Sequence, residues 1–431
     1  MSAAAVPDAS SVDRLSPRQR IAAVVAGSAG NLIEWYDFYV YAFTSIYFAA
    51  AFFPAGDRTA QLLNVAGIYA AGFLIRPIGG WFFGRFSDRR GRRAGMVISV
   101  LLMGVGSLMI AALPTYAQVG ALAPALLLVA RLCQGFSTGG QYGAAATYLS
   151  EISVKGRRGF IASFQFVTLI GGQLCALLVL VTLQQTLGDD ALREWAWRIP
   201  FVIGAVLALT VLLFSRHMYE TGEVGLAAPD AGTFRGLAAH PKAVLFVVSL
   251  SASGAICLYT FTTYMQKFLV NTANMSTQSA SGVMTGAVVV FMLLQPAIGR
   301  LSDTIGRRTC LLIFSGLMTL GAVPLLTALS GASTPLSAFA LVVAALVILS
   351  FYTSVSGLFK AELFPAHVRA LGVGFAHSVA AAIFGGTAEY VALLFKQMGH
   401  ESVFYWYVAF AAATAFLTAL LMPEPSKTGR L

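Results

Sequence analysis

The sequence predicts an all-α integral membrane protein: twelve transmembrane helices in two pseudo-symmetric six-helix bundles. Three observations predict it. Apolar stretches long enough to cross a bilayer, about 20 residues each, recur along the whole 431-residue chain. Its basic residues gather on one side of those stretches. A ten-residue signature, Gly-x3-Asp-x2-Gly-Arg-Arg, occurs once in each half, at Gly84 to Arg93 and at Gly299 to Arg308.

The composition makes lipid the main solvent. Hydrophobic residues are 58% of the chain, charged residues 11%, and the mean hydropathy is +0.77; a soluble domain carries roughly 25% charged residues. The spans are expected near 21–47, 62–84, 94–114, 121–149, 158–187, 197–216, 242–270, 278–299, 309–329, 335–359, 368–396 and 402–422. Each must be a helix, because in lipid the backbone has to satisfy its own hydrogen bonds. The least apolar connection, 217–241, holds Glu220, Glu223, Pro229 and Asp230 and reads as a linker. The expected organisation is a cytoplasmic segment 1–20, a six-helix half 21–216, the linker 217–241, a second half 242–422 and a cytoplasmic tail 423–431.

Charge distribution sets the expected orientation. Of 28 Lys and Arg, 21 fall in segments on the side of the two termini, Lys360 and Arg369 among them, and five (Arg58, Arg193, Arg198, Lys267, Lys396) on the other. This bias is the positive-inside rule, and it places both termini in the cytoplasm. It also accounts for the net charge of +10 without a nucleic-acid partner. Residues 1–20 mix Asp8 and Asp13 with arginines and lead into an apolar run without an A-x-A site, so an uncleaved first helix is expected rather than a signal peptide. Cys133, Cys175, Cys257 and Cys310 form no CxxC pair, and the five histidines form no HExxH. Neither disulfides nor a metal centre is expected.

The internal repeat is the strongest signal. The paired signatures are 215 residues apart, and a second pair, Glu151-x6-Arg158 and Glu362-x6-Arg369, is 211 apart. Two unrelated motifs at nearly one offset indicate duplication. The glycines suit tight turns. Asp88 and Asp303, at inner helix ends, are expected to pair with arginines of the Glu-x6-Arg loops such as Arg158 or Arg369, latching a gate that also includes Arg92, Glu151, Arg307 and Glu362. The bland alternative is a topogenic basic loop.

These motifs resemble those of the major facilitator superfamily. Asn31-Leu-Ile-Glu34-Trp35-Tyr36-Asp37-Phe38-Tyr39 and Trp197-Arg198-Ile199-Pro200-Phe201 resemble the metabolite:proton symporters within it. The stretches Gly72 to Trp81, Gln165 to Gln173, Tyr259 to Lys267 and Gly385 to Leu393 are similar to the members of that family that carry 2-oxoglutarate. The resemblance runs from about residue 20 to 422. It implies the major facilitator fold and proton-coupled import of a dicarboxylate by alternating access, with the proton gradient as energy source and no cofactor. It further implies a monomer in the bacterial inner membrane, in contact with lipid, an organic anion and protons. Symport of citrate, shikimate, proline or betaine is the alternative, and proton-driven drug efflux a further one. No nucleophile–base arrangement points to an enzyme. One departure stands out. Where those symporters carry Gly-Gly-Glu, this chain has Gly139-Gly140-Gln141. Either the chain works without that proton site, or the glutamine is an engineered mimic of the protonated acid.

Ionisable groups inside a bilayer are costly, about 2.5 to 3.5 kcal/mol at a helix centre, so each needs a reason. In the first helix Asn31, Glu34, Asp37 (or Phe38) and Tyr41 recur on one face. Asp37 and Arg131 are expected at a similar depth, about 15 Å at ~1.5 Å per residue, and are plausible partners. They form either a fixed ion pair or part of the coupling site, with Glu34 the stronger proton carrier if Asp37 is committed to Arg131. Gln141 and Glu389 complete the proton-coupling candidates. Arg76 suits a carboxylate, which a guanidinium binds with two parallel hydrogen bonds; the alternative is a packing arginine. Tyr69, Arg131, Gln165, Gln173, Tyr259, Tyr264 and Lys267 are the further substrate-binding candidates.

Overall fold

The computed structural model describes residues 17–54, 58–151, 153–154, 156–214 and 232–427. The first rods are α1 (Pro17–Phe52), α2 (Arg58–Leu74 continued by Arg76–Arg90), α3 (Arg92–Ala112), α4 (Leu122–Glu151), α5 (Arg158–Ala162 continued by Phe164–Glu194) and α6 (Ile199–Phe214). The second six are α7 (Pro241–Tyr259, Thr260–Tyr264, Met265–Asn271), α8 (Thr277–Ile305), α9 (Arg307–Ser330), α10 (Pro335–Thr353 continued by Ser356–Leu363), α11 (Arg369–Ala380, Ala381–Gly385, Ala388–Gln397) and α12 (Glu401–Leu421). The expected segment 1–20 up to residue 16, the linker from 217 to 231, and the tail from 428 onward lie outside the described residues.

Among the described residues, nine rods are long and apolar enough to cross a bilayer. The other three, α1, α2 and α6, run partly through positions whose side chains lie outside the described residues. Large apolar side chains such as Leu209, Leu320, Trp406, Phe410 and Leu421 are exposed, while Glu34, Asp37, Arg76, Arg131 and Lys360 are buried. That inversion of the soluble pattern is what lipid on the outside and a polar pathway inside require.

Local chemistry sets the breaks. The second glycines of the repeated signature, Gly91 and Gly306, adopt φ of 103° and 91° between α2 and α3 and between α8 and α9, a region that disfavours any side chain with a Cβ. Gly188, at φ 80°, breaks α5 where the apolar stretch ends near 187, and helix resumes beyond it to Glu194. Residues Thr260–Tyr264 in α7 and Ala381–Gly385 in α11 are π-helical, each adding a residue to its turn.

Glycines bring the two halves together along α2 and α4 against α11, and along α8 against α5. A Cβ at Gly143 would stand 2.6 Å from Gly374 Cα, one at Gly84 2.8 Å from Leu371 Cα, and one at Gly299 2.6 Å from the Gly159 carbonyl oxygen. Such backbone approach is how helices associate in a membrane, where lipid removes the hydrophobic drive between them.

Candidate functional site

A cavity opens between the halves. Trp35 of α1, Tyr142 of α4 and Phe166 of α5 line it on one side; Tyr259 of α7, Tyr352 of α10 and His377 of α11 line the other. A second hollow, toward the ends of the rods opposite the repeated loops, is bounded by Phe43, Gln173, Thr262, Gln266, Met284 and Thr285.

Arg76 sits where α2 breaks at Ile75, followed by Pro77. Its guanidinium lies 3.7 Å from the Phe73 ring centre, 4.6 Å from Phe38 and 6.0 Å from Trp35. Stacking of this kind steadies a desolvated cation. Its Nε has no hydrogen-bond partner among the described residues. Glu34, one oxygen of which is buried without a hydrogen bond, and Tyr259 of the other half lie within its electrostatic reach.

The expected Asp37–Arg131 ion pair is not formed. Arg131 donates to Gln134 Oε1 at 2.7 Å, and Gln134 Nε2 donates to Ser107 Oγ at 2.8 Å. The guanidinium lies 4.1 Å from the Tyr41 ring and 5.1 Å from Tyr69. Gln134, three residues along the same helix, reaches Arg131 without crossing to another rod and so captures it. Asp37 packs against Gly204 of α6, and neither of its carboxylate oxygens has a hydrogen bond among the described residues.

Lys360 is the residue that sequence reasoning misplaced. Its position in the sequence groups it with the basic residues of the inner loops, yet it is fully buried. The helix Ser356–Leu363 carries it past the expected end of α10, and its side chain turns back toward the preceding turn, the usual direction on a helix. Its Nζ donates to Tyr142 Oη at 2.7 Å and Ser356 Oγ at 2.9 Å and lies 3.2 Å from His377 Nδ1. Tyr142 and His377 stack at 3.7 Å. A signal did exist: Tyr352, Ser356 and Lys360 are four residues apart and share one helix face.

The remaining substrate candidates separate. Gln165 is buried beneath the cavity and donates to the Tyr142 carbonyl at 3.4 Å, while Gln173 belongs to the second hollow. Tyr69 stacks on Tyr41 and borders Phe73, next to Arg76. Tyr264, at the end of the π-turn, instead packs on Phe268 and Phe404, outside the cavity lining. Lys267 is half-exposed and pairs with Glu389, which ties these two candidates to each other. Arg198 donates to the Leu113 carbonyl at 3.1 Å and stacks on Trp197, an anchoring role. The side chains of Arg92 and Gln141 lie outside the described residues.

The gate differs from expectation in its chemistry. Asp88 accepts hydrogen bonds from the backbone N–H of Ala370 and Leu371 at 3.3 and 3.0 Å. Asp303 accepts from Gly159 and Phe160 at 2.7 and 3.1 Å. Across the interface the two aspartates therefore cap the N-termini of α11 and α5, whose first N–H groups lack partners within the helix. Arg369, one of the two arginines expected to pair with these aspartates, pairs with Glu151 at 2.6 Å. Arg307 pairs with Asp303 at 3.1 Å and with Glu362 at 3.5 Å, and Arg158 lies within electrostatic reach of Glu362.

Comparison with known proteins agrees with this geometry. Residues 28–388 match the profile of the Major Facilitator Superfamily. The chain is 58% identical over 415 residues to the alpha-ketoglutarate permease of Escherichia coli strain K12, covering 96% of each. It is 34% identical to a citrate-proton symporter of Salmonella typhi, covering 94% of each. With a glycine betaine/proline/ectoine/pipecolic acid transporter of Dickeya dadantii it shares 31% identity over 93% of this chain and 83% of the other. The solved proton:xylose symporter XylE superimposes with a TM-score of 0.78 at 18% identity, covering 95% of this chain and 96% of that one.

Proposed function

The chain belongs to the major facilitator superfamily, and from that premise we propose that it imports a dicarboxylate, 2-oxoglutarate foremost, together with protons. It is a multi-pass membrane transporter and not an enzyme. The substrate assignment is supported by the 58% identity to an alpha-ketoglutarate permease.

Arg76 carries the reading. Its guanidinium is buried at the boundary of the halves, with an N–H unspent and a carboxylic acid, Glu34, as neighbour. An incoming carboxylate and an ionised Glu34 compete for one cation. Two like charges about 4 Å apart repel by about 4 kcal/mol at an effective dielectric of ~20, so substrate binds Arg76 best once Glu34 holds a proton. Binding of anion and proton thereby favour each other, and symport results if both are released on the far side. The halves rock about the site as alternating access requires. The molecule acts as a monomer with cytoplasmic termini in the bacterial inner membrane, an orientation supported by the basic-residue bias, and draws on the proton gradient without a cofactor.

The test is uptake of labelled 2-oxoglutarate by proteoliposomes with and without an imposed proton gradient, in competition with citrate, shikimate, proline and glycine betaine. Gradient-driven accumulation that unlabelled 2-oxoglutarate suppresses and none of these four competitors does is expected. Indifference to the gradient, or stronger competition by citrate or a betaine, overturns the assignment.

A further inference from the structure

Lys360 poses a question that the Arg76 site leaves open. A buried ammonium is tolerated when an anion or a hydrogen-bond network compensates it. Here the ammonium's three N–H groups have three neutral acceptors, Tyr142 Oη, Ser356 Oγ and His377 Nδ1. It makes no ion pair with a carboxylate among the described residues, although Glu362 is two positions away. The rings of Tyr142, Tyr352 and Phe359 lie within 4.7, 5.7 and 5.6 Å, so the charge is caged by aromatic faces rather than neutralised.

Three of the groups around that cage, Tyr142, Tyr352 and His377, also form the cavity wall. On the same cavity's margin, Trp35 and Tyr259 are shared with Arg76. Both cations lie within electrostatic reach of His377. One comes from α2 in the first half and the other from α10 in the second. When the Lys360 ammonium donates to Nδ1 at 3.2 Å, a neutral His377 carries its proton on Nε2 and offers it as a donor.

We propose that Lys360, with Tyr142 and His377, receives the second carboxylate of the substrate and so makes the transporter select two-carboxylate anions over one-carboxylate anions. The inference rests on the dicarboxylate reading and assigns its unfilled half. A dianion bridging Arg76 and Lys360 supplies each half with a counter-charge, and so draws the halves onto the cargo. A monocarboxylate satisfies Arg76 and leaves Lys360 without an anion.

The experiment compares 2-oxoglutarate with 2-oxopentanoate, of the same chain length and lacking the second carboxylate, as competitors of labelled 2-oxoglutarate in proteoliposomes. Wild-type protein is expected to prefer 2-oxoglutarate at least tenfold. Lys360→Met removes the charge and fills the space with an apolar chain, an exchange that buried charges commonly tolerate; it should bring the ratio to within about twofold of unity, while Lys360→Arg keeps most of the preference. For the variant with weak uptake, ligand-induced shifts in melting temperature of the purified protein read the same ratio, and Lys360→Gln provides a second neutral side chain. A tenfold preference surviving in either neutral variant, or no preference in wild-type protein, overturns the assignment of Lys360. Failure of wild-type protein to take up or bind any organic anion overturns the dicarboxylate reading itself, a separate outcome.

Discussion

Asp303 of α8 holds the backbone N–H of Gly159 at 2.7 Å, 144 positions earlier in the chain and in the other half. The bond has a twin, Asp88 with Ala370 at 3.3 Å. The aspartates are 215 positions apart, and the capped residues, Gly159 and Phe160 against Ala370 and Leu371, are 211 apart. These are the two offsets of the repeated motifs. Each half thus inserts a carboxylate into the helix start that the other half presents, and the interface is closed twice by one device.

Removing a side-chain cap costs about 0.5–2 kcal/mol. Asp303→Ala is therefore expected to lower the ratio of closed to open molecules on this side by about 2- to 30-fold, and Asp88→Ala comparably. Spin-label distances between α2 and α11 and between α5 and α8 read that ratio directly. If both variants leave the distance distributions at wild-type values, the caps do not hold the gate.

The Glu151–Arg369 pair has both partners nearly buried. Deleting one member of such a pair strands a charge and costs about 3–5 kcal/mol, more than replacing both. Arg369→Ala should lower the melting temperature of the purified protein markedly, and Glu151→Ala with Arg369→Ala should recover part of the loss. A double variant no more stable than the worse single one would show that the two residues act separately.

Much of this architecture was legible in the sequence, and the failures have physical causes. Hydropathy located the twelve rods because span length is imposed by the bilayer, and the duplicated signature located Asp88 and Asp303 at corresponding helix ends. The backbone groups they cap across the interface were not legible, since a backbone N–H leaves no mark in a sequence. Depth along a helix was readable and rotation less so. Asp37 and Arg131 were expected to pair on depth alone, yet Gln134 takes the guanidinium. Tyr264 ends a π-turn that hydropathy does not reveal, and its ring packs on Phe268 and Phe404. Lys360 was missed for its position within four residues of a helix end, where a lysine usually reaches outward to water.

Glu34 is the neighbour that competes with substrate for Arg76. Glu34→Gln is expected to leave exchange of 2-oxoglutarate across the membrane, because a neutral amide resembles the protonated acid. Net accumulation driven by a pH gradient should fall close to the equilibrative level, while Asp37→Asn, beside Gly204 and away from that cation, should affect coupling less. Parallel measurements of counterflow and gradient-driven uptake separate the two activities. Unaltered gradient-driven accumulation in Glu34→Gln would remove Glu34 from the coupling site.

Arg76 should not tolerate its conservative replacement. A guanidinium offers a planar fork that holds a carboxylate through two hydrogen bonds and can stack on aromatic rings, and Arg76 places its guanidinium carbon 3.7 Å from the Phe73 ring centre and 4.6 Å from that of Phe38. Lysine keeps the charge but loses both the fork and the stacked plane. Each lost charge-assisted hydrogen bond is worth about 1.5–3 kcal/mol, so Arg76→Lys is expected to weaken 2-oxoglutarate binding by at least tenfold and to abolish saturable uptake at concentrations that saturate wild-type protein. The variant should still reach the membrane folded, since the positive charge that compensates Glu34 is retained; melting temperature and elution profile check this. Near-normal uptake by Arg76→Lys would mean that the site needs only a positive charge at this position, and Arg76 would then be a packing arginine whose rings matter more to the fold than to the cargo.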